Sequence, residues 1–352
     1  MLILSPDAQF DGAPDIERAV AEEVGAPEAT FELLHVRGAA SVPEAAWGRC
    51  DGLILWHEVE AGADQLDRLT HCRIIARAGV GFDNVDVVAA AARGIPVCNV
   101  PDYGTTDVAD SAIALLLALR RGVVSYDRAL RHDPVGNWSV DLAPVAARLR
   151  GGTFGVVGCG RIGTATLRRA RAFDLEVGFY DPYLPDGVEL ALGARRFDTL
   201  PELLGWADTV SLHAPATAET RNMIDAAAVA AMRQGAVLIN TARGGLVDLD
   251  ALYDGLKGGR LAAAGLDVTP VEPPAPHRLI EAYTSDAPWL RGRLILAPHA
   301  AWYSADGRRD IRAKSARTVL RYLKHGELRN CVNRHELTAH GHVPGEPASV
   351  AW

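Results

Sequence analysis

The chain has 352 residues, 49% of them hydrophobic and 23% charged, with a formal net charge of −8, which describes a globular protein long enough for two cores. The acidic balance excludes a surface built to hold phosphate backbones or anionic lipid, since those need clustered Lys and Arg; neither direct nucleic-acid binding nor a membrane partner is expected. Cys50, Cys72, Cys98, Cys159 and Cys331 are scattered, odd in number and lack Cys-x-x-Cys spacing, so no disulfide framework and no metal site is expected, and a reducing cytoplasm fits best.

The opening Met1-Leu-Ile-Leu-Ser5 meets Pro6 at once, and the longest apolar run, 112–119, is shorter than the ~20 residues of a membrane span, so neither a signal peptide nor an anchor is expected. Residues 2–4 read as a buried strand and 16–24 as a helix with its charges outward. Short β-rich runs follow at 31–36, 52–56, 73–76 and 95–99, with helical stretches such as 64–70 and 85–93 between them. Strands alternating with helices imply parallel βα units and a sheet covered on both faces. Pro101 and Gly104 then punctuate the chain. Thr106 or Asp107 can cap a helix whose apolar positions Val108, Ala112, Leu115, Leu116 and Leu119 fall at helical spacing, with Gly122 ending it. This helix is expected to cross into a second domain, with a mixed stretch at 123–150 before the next strand.

That strand ends in Gly158-Cys159-Gly160-Arg161-Ile162-Gly163, which opens a helical pattern through Ala170. In a strand, tight turn and helix of this kind the first glycine takes a backbone angle that other residues resist. The second lets a pyrophosphate approach the main chain, and the third lets helix and strand pack closely. The phosphates rest on the helix N-terminus. Residues 176–180 read as the next strand, ending in Asp181; an acid about 20 residues beyond the glycines suits an adenosine ribose and repels a 2′-phosphate, so the cofactor is read as NAD. Cys159 inside the loop is either a redox-sensitive thiol or simply a small residue. Further strands at 208–213, 236–240, 262–267 and 294–297 bring the domain to six, with ligands expected outside their carboxyl ends. A charged helical pattern over 304–322 is expected to return to the first domain, and 338–352 reads as a loose tail.

Three strand ends carry ionisable groups. Arg243, in Asn240-Thr241-Ala242-Arg243-Gly244-Gly245, offers a planar cation suited to a carboxylate or keto acid, unless it is an ordinary surface arginine. Asp267 ends the next strand, with Glu272 five residues on, and His299 follows the last strand in Ala297-Pro298-His299. Histidine is the side chain best matched to proton transfer near neutrality, and a neighbouring carboxylate favours its imidazolium and orients the ring. Glu272 with His299 can supply that pair.

Taken together these residues resemble the D-isomer-specific 2-hydroxyacid dehydrogenases over roughly 51–337. Within the family the chain looks most like the branch of the C-terminal-binding-protein corepressors, through Phe179-Tyr-Asp-Pro-Tyr-Leu184, Thr241-Ala-Arg-Gly-Gly-Leu-Val-Asp248, Pro298-His-Ala-Ala-Trp-Tyr-Ser304 and Asn330-Cys-Val-Asn333. The resemblance implies an α/β fold of two doubly wound parallel-sheet domains: a flavodoxin-like substrate domain from 1–101 plus 300–337, and a Rossmann NAD-binding domain from 102–299. It makes Arg243 the group that binds the substrate carboxylate and carbonyl, His299 the acid/base and Glu272 its partner. Backbone groups at Gly79, Val80 and Gly81 meet the substrate carboxylate, and Trp302 lines the pocket. NAD is placed against Val80, Thr106, Gly158, Gly160, Arg161, Ile162, Gly163, Asp181, His213, Ala214, Pro215, Thr220, Thr241, Ala242, Arg243, Asp267 and His299. The implied activity interconverts a small 2-keto acid and a D-2-hydroxy acid, in a homodimer formed through the cofactor domain. The alternative is an NAD(H)-sensing interaction module with little turnover. A methyltransferase also uses a glycine loop and a following acid, but has no need for the arginine and histidine at successive strand ends. Two departures stand out: Asp110 where most of the family has Glu, and a longer, proline-rich 273–291.

Overall fold

A computed structural model describes residues 1–342. It divides into two compact units, one formed by Met1–Gly104 and the chain from Ser304 on, the other by Thr105–Tyr303.

The first unit holds a five-stranded sheet of β1 (Leu2–Ser5), β2 (Thr30–Leu33), β3 (Gly52–Leu55), β4 (Ile75–Arg77) and β5 (Val97–Asn99) in the order β2-β1-β3-β4-β5. All its pairings are parallel, and this is the flavodoxin-like order. The inner strands are nearly unbroken apolar runs because helices cover both faces: Leu4, Leu53, Leu55, Ile75 and Val97 are buried with Trp47 in one cluster. The helix Ala305–His325 lies on β3 so closely that a Cβ on Gly52 would stand 2.5 Å from Val319 Cγ1. Ser304 Oγ starts that helix by accepting from the Gly307 amide, and Gly326, at φ 73°, ends it. Arg312 fastens it to the helix Asp15–Val24 through two bonds to the buried Glu17 carboxylate, at 2.9 and 2.7 Å.

The second unit holds seven parallel strands: β6 (Thr153–Val157), β7 (Glu176–Tyr180), β8 (Arg195–Arg196), β9 (Thr209–Leu212), β10 (Ala236–Asn240), β11 (Leu261–Leu266) and β12 (Leu294–Leu296). Their order is β12-β11-β10-β9-β6-β7-β8, a Rossmann sheet whose chain order reverses between β6 and β9. Local apolar runs mark six of these strands. The seventh, β8, is two arginines long and sits at the edge, so neither alternation nor an apolar run announces it. The helix Thr105–Arg121 packs against this sheet, Leu116 and Ile113 meeting Phe154 and Val156 while Ala112, Leu115 and Leu119 meet Val237, Ile239 and Ala263. Thr106 and Asp107 do not cap it as expected; they lie within its first turn, where the Thr106 hydroxyl bonds the Asp107 carboxylate at 3.2 Å.

Other differences lie at element ends. The expected helix 64–70 is Ala63–Leu66, the strand 31–36 stops at Leu33, and 73–76 shifts to Ile75–Arg77, because pairing with neighbouring strands rather than local apolar content sets where a strand begins. Residues 123–150 contain a helix, Val123–His132. The proline-rich 273–291 contains another, Arg278–Thr284, held to the helix Leu249–Lys257 by Arg278 bonds to Asp250 and Asp254 and by Trp289 meeting Tyr253 edge-on at 5.3 Å. Of the expected tail 338–352, residues 338 and 339 close a helix, Arg334–Ala339, and 343–352 lie outside the described residues. Among the described residues no helix is long and apolar enough to cross a membrane.

Candidate active site

The carboxyl edge of the seven-stranded sheet gathers most of the residues singled out above, and the glycine loop is its centre. Gly158 turns at φ 86°, and a Cβ there would lie 2.7 Å from the Ala214 amide nitrogen at the end of β9. At Gly163 a Cβ would come 2.1 Å from the Gly158 carbonyl oxygen, so the helix Arg161–Arg171 can approach the loop only without one. A Cβ on Gly160 would meet open space, the arrangement expected where a phosphate comes up to bare backbone. Asp181 closes the loop from β7: its Oδ2 accepts from the Cys159 amide at 2.9 Å and its Oδ1 from the Tyr183 amide at 3.0 Å. The Cys159 thiol lies near Thr164 Oγ1 at 3.7 Å. Burial pushes its pKa up to about 11, so it stays protonated at neutral pH and belongs to the packing of the loop.

Beyond β9 the His213 ring bonds Ser211 Oγ at 2.9 Å through Nε2, and burial pushes its pKa down to about 3, leaving a neutral imidazole. Ala214 and Pro215 follow, and the Thr220 hydroxyl folds that turn back by donating to the Pro215 carbonyl at 2.6 Å. Beyond β10, Asn240 shapes the next turn. Its amide donates to the Arg243 carbonyl at 2.9 Å and its Oδ1 accepts from the Ala242 amide at 3.0 Å. Gly244 lets this turn lie directly on 269–270, where a Cβ would fall 1.9 Å from the Thr269 carbonyl carbon. Arg243 Nη1 donates to the Ala242 carbonyl at 2.9 Å.

Beyond β11 and β12 the acid and the imidazole meet. His299 Nδ1 lies 2.7 Å from Glu272 Oε2, and Glu272 Oε1 accepts from the Thr269 amide at 3.0 Å, so one carboxylate fixes both the ring and its own loop. Nδ1 facing the carboxylate leaves Nε2 as the nitrogen that can face a reacting oxygen. His299 sits at φ 54°, a left-handed backbone uncommon outside glycine. Buried Asp267 secures that turn: its oxygens accept from the Ala300 and Ala301 amides at 2.8 and 2.9 Å, and its carbonyl accepts from the His299 amide at 2.7 Å. Burial raises the Asp267 pKa, with the two amides working against the rise. The expected NAD contact of Asp267 thus falls on a side chain that already holds the His299 loop.

The other named residues are placed as follows. Thr106 lies on the helix Thr105–Arg121, and Trp302 meets Tyr303 edge-on at 5.8 Å. Gly79, Val80 and Gly81 belong to the first unit, just beyond β4; Gly79 stands at φ 153° beside the Arg77 guanidinium, and the Val80 carbonyl accepts from Asn99 Nδ2 at 2.7 Å. Sequence reading missed Asn240 and Ser211. Asn240 had a signal, since an Asn at a strand end folds its amide onto the backbone two or three residues on; Ser211 had none.

Among the described residues, Thr241 Oγ1 and His213 Nδ1 are buried without a hydrogen-bond partner. Buried polar atoms are ordinarily paired, so two orphans on the edge that carries the open Gly160 fit a polar ligand such as a dinucleotide. Sheet order, glycine loop and Asp181 define a dinucleotide-binding protein of the Rossmann class. Residues 113–301 match the family model of the D-isomer specific 2-hydroxyacid dehydrogenase NAD binding domain. The chain is 39% identical over 290 residues to a glyoxylate reductase of Korarchaeum cryptofilum, covering 81% of this chain and 83% of that one. It is 36% identical over 261 residues, 74% of its length, to a D-3-phosphoglycerate dehydrogenase of Methanocaldococcus jannaschii, and spans about half of that protein, 48%. Among solved structures, the NADPH-dependent glyoxylate/hydroxypyruvate reductase of Sinorhizobium meliloti in complex with NADP and malonate superposes with a TM-score of 0.81 at 31% identity, covering 99% of each chain. The chain belongs to the D-isomer-specific 2-hydroxyacid dehydrogenase family, and its second unit carries the family's NAD-binding domain.

Proposed function

We propose that the protein is an NAD-dependent oxidoreductase that interconverts a small 2-keto acid and the corresponding D-2-hydroxy acid. The observation that carries this reading is the 2.7 Å pairing of His299 with Glu272 on the carboxyl edge of a dinucleotide-binding sheet, beyond β11 and β12, the two strands next to Arg243's β10 in the sheet order. The glycine loop, Asp181, the 213–215 turn, Thr220 and the Thr241-Ala242 pair would hold the cofactor, with the unpaired Thr241 Oγ1 and His213 Nδ1 available to its polar groups. NADH, when bound, supplies the hydride. Arg243 binds the substrate carboxylate and stabilises negative charge on the carbonyl oxygen, and its planar guanidinium suits both. His299 carries a proton at Nε2 for that oxygen, with Glu272 holding the imidazolium in place; in the reverse direction the same nitrogen takes the proton back. Trp302 lines the substrate pocket.

Glyoxylate and hydroxypyruvate, which appear in the relatives' names, are the first substrates to try, and a panel of 2-keto acids with varied side chains, followed by NADH absorbance, tests the reading. His299→Ala is expected to lower kcat by ~10²–10⁴, the usual loss for an acid/base group, while NADH binding measured by fluorescence persists. Turnover of the variant near the wild-type rate would remove His299 from the role. NADH binding with no keto acid consumed by the wild type would favour the sensing module of the corepressor-like branch. We also propose a homodimer through the cofactor domain, supported by the exposed apolar side chains of Val135, Trp138 and Val140 in that unit.

A further inference from the structure

The five cysteines are all free thiols, and two of them face each other across a backbone bridge. Cys98 on β5 and Cys331 form an isolated antiparallel pair. Its two flanking hydrogen bonds run from the Asn99 amide to the Asn330 carbonyl, at 3.2 Å, and from the Val332 amide to the Val97 carbonyl, at 2.8 Å. Bonds from the neighbours on either side, with none between the paired residues, mark the narrow pair of an antiparallel ladder, whose Cα atoms stand ~4.5 Å apart with side chains on one face. That spacing falls inside the window of ~4.4–6.8 Å that a disulfide needs. Buried Asn333 locks the register: its Oδ1 accepts from the Val97 amide at 2.9 Å, and its Nδ2 donates to the Val87 and Ile95 carbonyls.

We propose that Cys98 and Cys331 are a reversible redox pair, closed to a disulfide by hydrogen peroxide and reopened by a thiol reductant. Cys331 is partly exposed and Cys98 is buried, so the order of events follows from access. The Cys331 thiolate attacks the peroxide oxygen, breaking the O–O bond to give a sulfenic acid and releasing hydroxide, which takes up a proton. The Cys98 sulfur then displaces the sulfenic oxygen, which leaves as water with the Cys98 proton. Two thiols lose two electrons and two protons in all, and one peroxide becomes two waters. Asn99 and Asn330, the neighbours of the pair, line a cavity of about 160 Å³ with Lys314, Arg321 and Arg329, and the oxidant meets the pair at the partly exposed Cys331.

The electrostatics agree with this division. The hydrogen bond from Cys98, followed by the Asn333 backbone and the Arg334 charge, brings the Cys331 pKa down to about 7, while the same contact and burial push Cys98 up. A thiolate-rich, accessible sulfur beside a shielded partner is the usual arrangement of attacking and resolving cysteines. The other close pair, Cys50 with Cys72, is buried on both sides and offers no entry. The bond would clamp the segment after the helix Ala305–His325 onto the edge strand and close a loop containing all of Thr105–Tyr303.

The test treats the full-length protein with near-stoichiometric hydrogen peroxide, counts thiols after denaturation, and maps unreduced peptides by mass spectrometry. Two of the five thiols should disappear, one peptide pair should join Cys98 to Cys331, and dithiothreitol should restore both thiols. The oxidised form should unfold at a higher temperature, and Cys331→Ser should keep all its remaining thiols under the same treatment. Full retention of thiols by the wild type would overturn the proposal, as would a crosslink between other cysteines or accumulation of Cys331 sulfinic acid with Cys98 still reduced.

Discussion

Asp181 carries a backbone amide on each of its two oxygens, from Cys159 and Tyr183, so it shapes the glycine loop, and in the proposed reading it also sets a negative charge beside the adenosine ribose. The two roles can be separated. Asp181→Asn keeps a carbonyl oxygen for the Cys159 amide and removes the charge that opposes a 2′-phosphate. The ratio of kcat/KM for NADPH over NADH is expected to rise by about tenfold, a change of ~1.4 kcal/mol; an unchanged ratio would mean that the charge does not select the cofactor. His213 bears on stability in acid. Its ordinary pKa is 6.5 and its folded value is about 3, so between those limits the unfolded chain binds a proton that the folded one refuses. Stability therefore falls as pH drops below about 6.5, by up to ~1.4 kcal/mol per pH unit for that one proton. Asp7 and Asp267, whose pKa values are raised by burial, act in the opposite sense: their contribution is greatest below their ordinary 3.8 and is lost as pH rises through the raised values. Urea unfolding of His213→Asn against the wild type isolates the first effect, and the variant should show the flatter acid limb.

At the scale of elements, the strand, turn and helix around 158–163 make a prediction that neither a binding assay nor a melting curve would test alone. Gly163→Ala drives a Cβ into the Gly158 carbonyl, a backbone atom that cannot step aside, and overpacking of this kind costs about 1–3 kcal/mol. Gly160→Ala meets no protein atom within 4 Å, so its melting temperature should match the wild type. Both variants should bind NADH weakly, but only Gly163→Ala should also melt early. A Gly160→Ala protein that binds NADH as tightly as the wild type would mean that no phosphate approaches that position. The loops at the carboxyl edge depend on the same kind of backbone economy: Asn240 folds the turn after β10, Glu272 ties the one after β11 and Asp267 holds the one after β12. Of these, Glu272 was legible in the sequence as the partner of His299. The holding role of Asp267 was not, because the two amides that donate to it lie 33 and 34 residues away.

At the scale of the molecule, the apolar side chains of Val135, Trp138 and Val140 are 86%, 80% and 81% exposed, far more than an isolated domain ordinarily leaves to water. Trp138→Glu is expected to shift the proposed dimer to monomer in sedimentation velocity at micromolar concentration, and a wild-type monomer would end that proposal. The net charge of −8 leaves such an interface to shape and apolar burial rather than to long-range attraction between copies.

What the sequence determined by itself was whatever is written in local spacing. The glycine loop, the acid at the end of the following strand, the alternation of strand and helix, and the Arg243, Glu272, His299 series are all consecutive patterns, and they sufficed for the α/β class and the family. Tertiary structure decided what depends on partners distant along the chain. The edge strand β8 exists only because Gly178 and Phe179 offer it a pairing, and the helix Thr105–Arg121 begins ahead of Thr106 and Asp107, the residues that local spacing offers as its cap. The neutral state of His213 comes from burial that no local pattern signals. Cys98 and Cys331 looked like unrelated residues, since nothing in a spacing that long marks them as neighbours, until the register set by Asn333 brought them face to face.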